Sequence, residues 1–410
     1  MRHVAPRELE IESLAGTVAL PKSNLPKSNL SKPLSLAALA LGTFAIGTSE
    51  FASMGIIQLY ASTFGTSVTE ATGAVTAYAF GVIIGAPLIT LLAARLNRRT
   101  LLLVLMVLFA IGNVLSGLAA SLGQLQIARF ISGLPQGAYF GAGAVIASYV
   151  MGPGQAGKAF AVVMTGLTVA TIFGSPLATF LGQTLGWRQT YLVISGIGIA
   201  ALLAILSQVP HTKQLDGAPV LQELGALRKA SVWGVLVAAA IGVGSIFAVY
   251  TFIGPMVTDL AGFEPAVIAI GLALFGLGMT VGNTVGGRIA DRDPVKGVVI
   301  GFGSALLVLA MLGLFGQSPL VLFPALFGVG ATMMVAVPAI QSRLTQFAPE
   351  APSMMGAMNL AALNLANAVG AEAGAGVIHM GHGLLSAAWA GFGLTALGLV
   401  IFVVVSRIAR

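Results

Sequence analysis

The fold is indicated by a stretch that reads, from Thr72 to Arg99, TGAVTAYAFGVIIGAPLITLLAARLNRR. Residues 72–94 carry no charge, and a helix that crosses a membrane core of about 30 Å needs about 20 such residues. Three arginines, Arg95, Arg98 and Arg99, follow at once. Because lysine and arginine collect on the cytoplasmic side of membrane helices, the stretch predicts a transmembrane helix that ends at the cytoplasmic surface.

The composition of the whole chain agrees with a membrane protein. Hydrophobic residues make up 57% of the 410 residues and charged residues only 8%, and the mean hydropathy is +0.96. A soluble domain carries about 25% charged residues, so this chain has too little polar material to face water. Its 53 glycines fit helices that pack closely in lipid. The absence of cysteine excludes disulfides and thiolate metal sites.

Eleven further apolar stretches have a similar length. They are continuously apolar, whereas the strands of a membrane β-barrel alternate between apolar and polar residues over about ten positions. The predicted fold class is therefore an all-α polytopic membrane protein with twelve transmembrane helices. The predicted spans are 34–57, 72–94, 100–120, 124–148, 159–182, 189–209, 232–254, 266–290, 295–316, 319–341, 354–378 and 384–406.

The basic residues give the orientation. With twelve spans, 18 of the 20 lysines and arginines fall on the side of the two termini; of the other two, Arg188 lies on the opposite side and Arg129 within a span. We therefore predict cytoplasmic termini and a multi-pass protein of the plasma membrane, which in a bacterium is the inner membrane. The net charge of +7 is then a topology signal, and no nucleic-acid partner is expected. Residues 1–33 are polar, with a tandem Pro-Lys-Ser-Asn-Leu, and are predicted to form a disordered cytoplasmic tail.

An internal repeat divides the spans into two sets. An offset of 197 residues brings Gly133 onto Gly330 and Gly47-Thr48 onto Gly244-Ser245. This offset equals the distance between the first and seventh predicted helices. We therefore predict two pseudo-symmetric six-helix halves, which is the architecture of many secondary transporters with a substrate path between the halves. The predicted division is 34–209 for the N-terminal half, 210–231 for a cytoplasmic linker and 232–410 for the C-terminal half.

Two loops and one helix carry a family resemblance. The loops TLLAARLNRR (90–99) and GRIADRDPVK (287–296) resemble the Gly-x-x-x-Asp-Arg-x-Gly-Arg-Arg signature of the major facilitator superfamily. The segment RFISG (129–133) is similar to that superfamily's membrane-embedded arginine motif. The resemblance covers residues 34–406 and implies the major facilitator fold. It also implies gating by the loop residues Arg95, Arg98, Arg99, Gly287, Asp291 and Arg292, although Ala94 replaces the aspartate of the signature.

The fifth predicted helix points to one branch of this superfamily. Gly166, Gly174 and Pro176 resemble the glycine-proline motif of the drug–proton antiporters with twelve helices, with Ser175 as a departure. The segments TSEF (48–51) and NLANAVG (364–370) are similar to the arabinose-efflux-like permeases, a group that includes sugar, nucleoside and chloramphenicol exporters. The resemblance implies export of small organic molecules.

Three charged side chains fall well inside predicted spans: Glu50, Arg129 and Glu372. A charge at bilayer depth costs about 3 kcal/mol or more, so such residues face protein or water and have a role. At about 1.5 Å per residue, Glu50 and Arg129 lie at the same depth, and both share helix faces with small and polar residues. We predict that they are near neighbours at the wall of a central cavity. Burial favours the neutral form of a carboxyl group and a guanidinium favours its charged form, so the pair either couples transport to protons or locks two helices together.

Several further residues complete the predicted site. Glu372 is either functional or a carboxylate that reaches water at the outer end of its helix. Asn359, Asn364 and Asn367 either bind substrate or join helices, and the aromatic residues either line the cavity or pack. His379 and His382 lack carboxylate partners, and no metal is expected. The predicted cavity residues are Gln136, Tyr139, Tyr250, Asn359, Asn364 and Glu372.

The sequence offers no ATP-driven energy source. Residues 152–158 nearly match a phosphate-binding loop, but Ala159 replaces the hydroxyl residue that binds magnesium. We therefore expect a proton-coupled exporter that works by alternating access, without a cofactor and as a monomer, whose partners are protons, a small-molecule substrate and the lipid bilayer. A facilitator or uptake symporter on the same fold is the main alternative. A membrane-embedded enzyme or a channel is another alternative, but no nucleophile–base or metal constellation, which an enzyme would need, is visible in the spans.

Overall fold

A computed structural model describes residues 32–152, 156–216 and 221–408. All regular structure within these ranges is helical, and ten helices are long and apolar enough to cross a membrane. The two other predicted spans are also helical. One is broken into Leu122–Gly133 and Gln136–Met151, and the other, Pro352–Val377, contains three asparagines and Glu372, which lower its hydropathy. The predicted all-α class is confirmed, while the predicted tail lies almost entirely outside the described residues.

We number the membrane helices α1 to α12 along the chain. The first six are α1 (Lys32–Gly55), α2 (Gly73–Leu92), α3 (Arg98–Leu118), α4 (Leu122–Gly133 and Gln136–Met151), α5 (Ala156–Val169, the π-helical turn Ala170–Gly174, and Ser175–Leu185) and α6 (Trp187–Gln208). The last six are α7 (Ala230–Gly242 and Gly244–Tyr250), α8 (Ile268–Ala290), α9 (Pro294–Phe315), α10 (Pro319–Phe347), α11 (Pro352–Val377) and α12 (Ser386–Ile408). Short helices, among them Ile57–Phe64 and Val68–Ala71, connect them.

Local chemistry explains where several helices begin. The side chain of Asn97 accepts a hydrogen bond from the backbone N–H of Arg99, and this caps α3. Asp293 caps α9 in the same way by accepting from the backbone N–H of Lys296. Helices α9, α10 and α11 each start with proline, whose missing N–H is not needed in a first turn.

Close helix contacts repeat between the two halves. In the first half, Gly133 of α4 lies so close to the carbonyl oxygen of Tyr78 in α2 that any side chain there would collide with it. In the second half, Gly330 of α10 lies in the same way against the carbonyl oxygen of Phe275 in α8. Each of these residues is 197 positions from its counterpart, so one packing solution is used twice.

The contacts of α1 and α7 repeat in the same manner. Gly47 of α1 packs against Ala170 of α5, and Gly244 of α7 packs against Ala366 of α11. These pairs correspond at offsets of 197 and 196. The predicted pseudo-symmetry of α1–α6 and α7–α12 is therefore confirmed. The exact division of the chain stays a prediction, and residues 217–220 of the predicted linker lie outside the described ranges.

The two halves are joined on one side of the molecule. We call the side opposite the chain termini the distal side; it carries the α1–α2, α3–α4, α5–α6, α7–α8, α9–α10 and α11–α12 connections. Among the described residues, every side-chain hydrogen bond between the halves lies at mid-depth or toward this side. These bonds join Gln58 to Thr258 (3.2 Å), Gln183 to the carbonyl oxygen of Pro265 (2.7 Å), Thr76 to Glu372 (2.7 Å) and Ser175 to Tyr250 (2.9 Å). The structure is thus closed at its distal side.

Candidate functional site

Glu50 lies at the centre of a buried polar network. It is on α1, and only 7% of its surface is exposed. Its Oε2 accepts a hydrogen bond of 2.9 Å from Nε2 of Gln136 on α4. The phenol of Tyr78 on α2 donates to Oε1 of the same glutamine at 2.7 Å. Because Tyr78 occupies the amide oxygen of Gln136, the amide nitrogen is directed toward Glu50.

Arg129 belongs to the same network and is fully buried. Its Nη1 donates to Oγ of Ser49 at 2.8 Å, and its Nη2 donates to the backbone oxygen of Ser49 at 2.9 Å. The guanidinium lies 4.3 Å from the centre of the Tyr78 ring and 5.2 Å from that of Tyr191. Aromatic faces and neutral oxygens therefore surround a charge that bulk water does not reach.

The structure thus brings Glu50 and Arg129 into one network without an ion pair between them. The ion pairs found among the described residues are Lys229–Glu350 and Lys296–Asp293, both at helix ends on the side of the chain termini. Arg129 donates hydrogen bonds to Ser49, the residue before Glu50, and the carboxylate of Glu50 accepts a hydrogen bond from Gln136 instead. The opposite charges still attract each other. Ser49, whose hydroxyl also donates to Oδ1 of Asn113 at 2.7 Å, and Tyr78 were not among the predicted site residues.

The C-terminal half contributes Asn367 to this region. Asn367, on α11, is 1% exposed and lies close to Glu50, although outside hydrogen-bonding geometry. Neither its amide nitrogen nor its amide oxygen makes a hydrogen bond. Tyr250, predicted as a cavity residue, shares a hydrogen bond with Ser175 across the halves and packs edge-on against Phe51, with 5.5 Å between ring centres.

The other predicted cavity residues have different surroundings. Tyr139 is buried between α1 and α4, where its hydroxyl donates to the backbone oxygen of Leu39 at 3.1 Å. Asn359 donates to Gln341 at 2.8 Å within the C-terminal half. Asn364 donates to the oxygen of Leu360, one turn earlier on its own helix. Glu372 is exposed toward the distal side, where it accepts from Thr76.

The three residues of the predicted antiporter motif pack α5 against α1. Gly166 lies against Thr43 and the backbone of α1, and Gly174 lies against the hydroxyl of Thr48. Pro176, which cannot donate a backbone hydrogen bond, lies in the first turn of the helical segment that follows the π-helical turn. In this structure the motif shapes a helix–helix contact and places no polar group beside Glu50.

The predicted gating loops lie at the side of the chain termini. Arg99 donates to the backbone oxygen of Leu206 at 2.6 Å, which ties α3 to the end of α6. Nδ2 of Asn97 donates a hydrogen bond of 2.8 Å to the backbone oxygen of Thr212 in the predicted linker. Arg95, Asp291 and Arg292 are exposed, and Arg98 is half-buried. Gly287 has open space around it.

Two pseudo-symmetric six-helix halves around a buried polar centre define a membrane transporter of the secondary type. Comparison with known proteins identifies the family: the chain belongs to the major facilitator superfamily, whose family model matches residues 39–371. It is a transporter of small molecules and not an enzyme.

Two relatives and one solved structure illustrate the similarity. The chain is 35% identical over 336 residues to the inner membrane transport protein YdhP of Escherichia coli, covering 82% of this chain and 86% of that protein. It is 32% identical over 357 residues to a chloramphenicol resistance protein of Streptomyces lividans, covering 86% and 91%. The fold resembles that of a bacterial homologue of the human lysosomal transporter Spinster in an inward-facing, occupied conformation, with a TM-score of 0.70, 16% identity, and coverage of 91% and 96%.

Proposed function

We propose that this transporter exports small organic molecules in exchange for protons, by alternating access between its two halves. The observation that carries the proposal is the buried carboxylate of Glu50. Among the side chains whose surroundings the structure describes, Glu50 is the only buried acidic one and Arg129 the only buried basic one. A buried acid favours its neutral form, and a nearby cation favours its charged form. Small movements of α1 against α4 would therefore bind or release a proton.

A comparison of the halves supports a single proton site. The positions 197 residues after Glu50, Tyr78, Arg129 and Gln136 are occupied by Phe247, Phe275, Leu326 and Met333. These four residues are apolar, although the packing around them repeats. The polar network therefore belongs to the N-terminal half alone, which supports one proton carried per cycle.

One proton supplies enough energy for export. A proton that moves inward through about 100 mV releases about 2.3 kcal/mol, and one pH unit adds about 1.4 kcal/mol. Since about 1.4 kcal/mol corresponds to a factor of ten, the two terms together sustain a gradient of several hundred-fold for a neutral substrate.

The test is transport in proteoliposomes with an imposed pH gradient. We expect Glu50→Gln to abolish proton-driven accumulation, from several hundred-fold at most to about onefold, while exchange of labelled for unlabelled substrate continues. Glu70→Gln is the matched control. Glu70 is an exposed acid in the distal capping box of Ser67, and glutamine preserves that box.

Three results would change the assignment. Unchanged proton-driven accumulation in Glu50→Gln, with only a lower melting temperature, would make the network a structural lock between α1 and α4. Equilibration of substrate without any effect of the gradient on the native protein would make the carrier a facilitator. Accumulation in the direction of the proton flow would make it a symporter.

Export, as opposed to uptake, is supported by the relatives. They include the chloramphenicol resistance protein and, at 28% identity over 356 residues, a probable sugar efflux transporter of Helicobacter pylori that this chain covers to 89%. Expression in an efflux-deficient bacterium, with a panel of drugs, sugars and nucleosides, tests this part. Lower accumulation of a panel compound is the expected result, and higher accumulation would contradict export.

A further inference from the structure

The buried amide of Asn367 is not explained by the fold. Asn367 is 1% exposed, and neither its Nδ2 nor its Oδ1 makes a hydrogen bond in the part of the chain that the structure describes. Buried polar groups in native proteins are almost always hydrogen-bonded. An amide offers a donor and an acceptor side by side, so Asn367 has one free group of each kind.

The polar neighbours of this amide come from both halves of the protein. Glu50, from the N-terminal half, is its polar neighbour, and only Oε2 of Glu50 is engaged, by Gln136. Asn364 precedes Asn367 by three residues on α11, so both side chains lie on one face of the helix. Asn364 is also buried, and its Oδ1 is free because its only bond is donated by Nδ2.

The inventory of free groups defines what would satisfy them. Among the side-chain atoms of Asn367, Asn364 and Glu50, the acceptors without a hydrogen bond are Oδ1 of Asn367, Oδ1 of Asn364 and the second oxygen of Glu50, and the donor without one is Nδ2 of Asn367. A complementary molecule must therefore bring several donors and at least one acceptor next to a donor. Hydroxyl groups on neighbouring carbon atoms and amide N–H groups have this chemistry, whereas a lipophilic cation without hydroxyl or N–H groups does not.

We propose that Asn367 and Asn364, together with Glu50, form the polar part of a ligand site that recognises neutral molecules rich in hydroxyl or amide N–H donors. The inference rests on the proposed transport function, since it names the substrate class of the same interface. A site of this kind discriminates strongly, because an apolar ligand leaves the buried amides unpaired. The two asparagines select the ligand, while Glu50 also belongs to the proposed proton site.

The first experiment measures binding to the purified full-length protein in detergent, with no gradient. The probes are methyl β-galactoside, uridine and chloramphenicol, which carry donors, and tetraphenylphosphonium, which carries none. We expect at least one donor-bearing probe to bind, and Asn367→Leu to weaken it by about 10- to 100-fold, the loss expected for one or two buried hydrogen bonds. Binding of tetraphenylphosphonium alone, or equal binding of a donor-bearing probe to both variants, would overturn the proposal.

The second experiment measures the melting temperature of the protein without ligand. Asn367→Leu removes two unpaired polar atoms at nearly constant volume, so we expect an unchanged or higher melting temperature. Asn113→Leu is the matched change at a buried asparagine whose two amide atoms are both bonded, to Ser49 and to the oxygen of Phe109, and it should lower the melting temperature. If Asn367→Leu lowers the melting temperature as much as Asn113→Leu does, the amide of Asn367 binds a structural partner such as a water molecule. That result would overturn the proposal, whether or not a probe binds.

The two proposals fail separately. Binding in detergent needs no proton gradient, so the loss of coupling evidence for Glu50 leaves the binding result intact. Conversely, the Asn367→Leu variant could retain proton-driven transport with an unchanged KM for a donor-bearing probe. This result would contradict the proposed ligand site and leave the proposed proton site unaffected.

Discussion

Single hydrogen bonds decide what Glu50 contacts. A glutamine side chain can present either its oxygen or its nitrogen, and only the nitrogen suits a carboxylate. The hydroxyl of Tyr78 donates to the oxygen of Gln136, so the nitrogen remains for Glu50. The Tyr78 ring also lies against the guanidinium of Arg129. One tyrosine thus supports both charged residues of the network.

Tyr78→Phe separates these two roles. The ring stays, and only the hydroxyl that orients Gln136 is lost, at about 1 kcal/mol. We expect proton-driven transport to slow about tenfold in vesicles, while Tyr78→Leu also loses the cation–π contact, about 2 kcal/mol at a desolvated site, and melts lower. Equal melting temperatures for the two variants would show that the ring does not stabilise Arg129.

Ser49 offers a second test at this scale. Ser49→Ala removes the acceptor of Arg129 Nη1 and the donor to Asn113. We expect a loss of about 1.5–3 kcal/mol in the free energy of unfolding, because one partner belongs to a buried charge. In Ser148→Ala the lost hydroxyl bonds only its own helix, at the oxygen of Ala144, and the change should be small. Similar losses in the two variants would argue against a special role for the Arg129 network.

Depth in the membrane was predictable for these residues, but partners were not. Counting residues from the helix ends placed Glu50 and Arg129 in one layer, since the rise per residue of a helix is constant. The partners depend on side-chain torsions and on third residues. Gln136 reaches Glu50, and Arg129 reaches Ser49 instead. Tyr78 was missed because a lone tyrosine on an apolar helix gives no periodic signal.

The membrane helices show the same contrast between length and detail. The predicted spans 100–120, 295–316 and 384–406 differ from the observed Arg98–Leu118, Pro294–Phe315 and Ser386–Ile408 by two residues or fewer at each end. The break in α4 and the π-helical turn in α5 were not predicted. A hydropathy profile detects neither feature, because each one changes the backbone hydrogen bonds and leaves the apolar character of the residues unchanged.

Close helix contacts give a prediction at the scale of elements. Gly133→Ala puts a methyl group into the backbone of α2, so we expect a clear loss of thermal stability and of folded yield in the membrane. Gly141→Ala lies on the same helix with no atom within 4 Å. Alanine is favoured over glycine in a helix by up to about 1 kcal/mol, so this variant should be as stable as the native chain or more so. A stable Gly133→Ala would mean that α2 and α4 can separate at little cost.

The whole molecule combines symmetric packing with contacts between the halves at one side. Hydrogen bonds at the distal side join the halves, and the proposed alternating access requires that they break in each cycle. The pseudo-symmetry was predictable from the offset of 197 residues, because glycine contacts leave a periodic trace in the sequence. Which side is closed was not, since the same residues serve every conformation of the cycle.

The chain contains no cysteine, so a thiol reagent reacts only at cysteines that are introduced. We expect a short bifunctional maleimide to cross-link Gln58→Cys with Thr258→Cys, whose native side chains lie 3.2 Å apart at the distal side, and to stop transport. Each single variant treated with the same reagent should keep its activity. Full transport after complete cross-linking would show that the distal side need not open.

The uneven share of polar residues between two similarly packed halves bears on how such carriers diversify. Where the N-terminal half has Glu50 and Arg129, the C-terminal half has Phe247 and Leu326. In the proposed cycle the proton is therefore carried by residues of one half. Substitutions in the other half then change the interior of the protein without removing the residue that carries the proton.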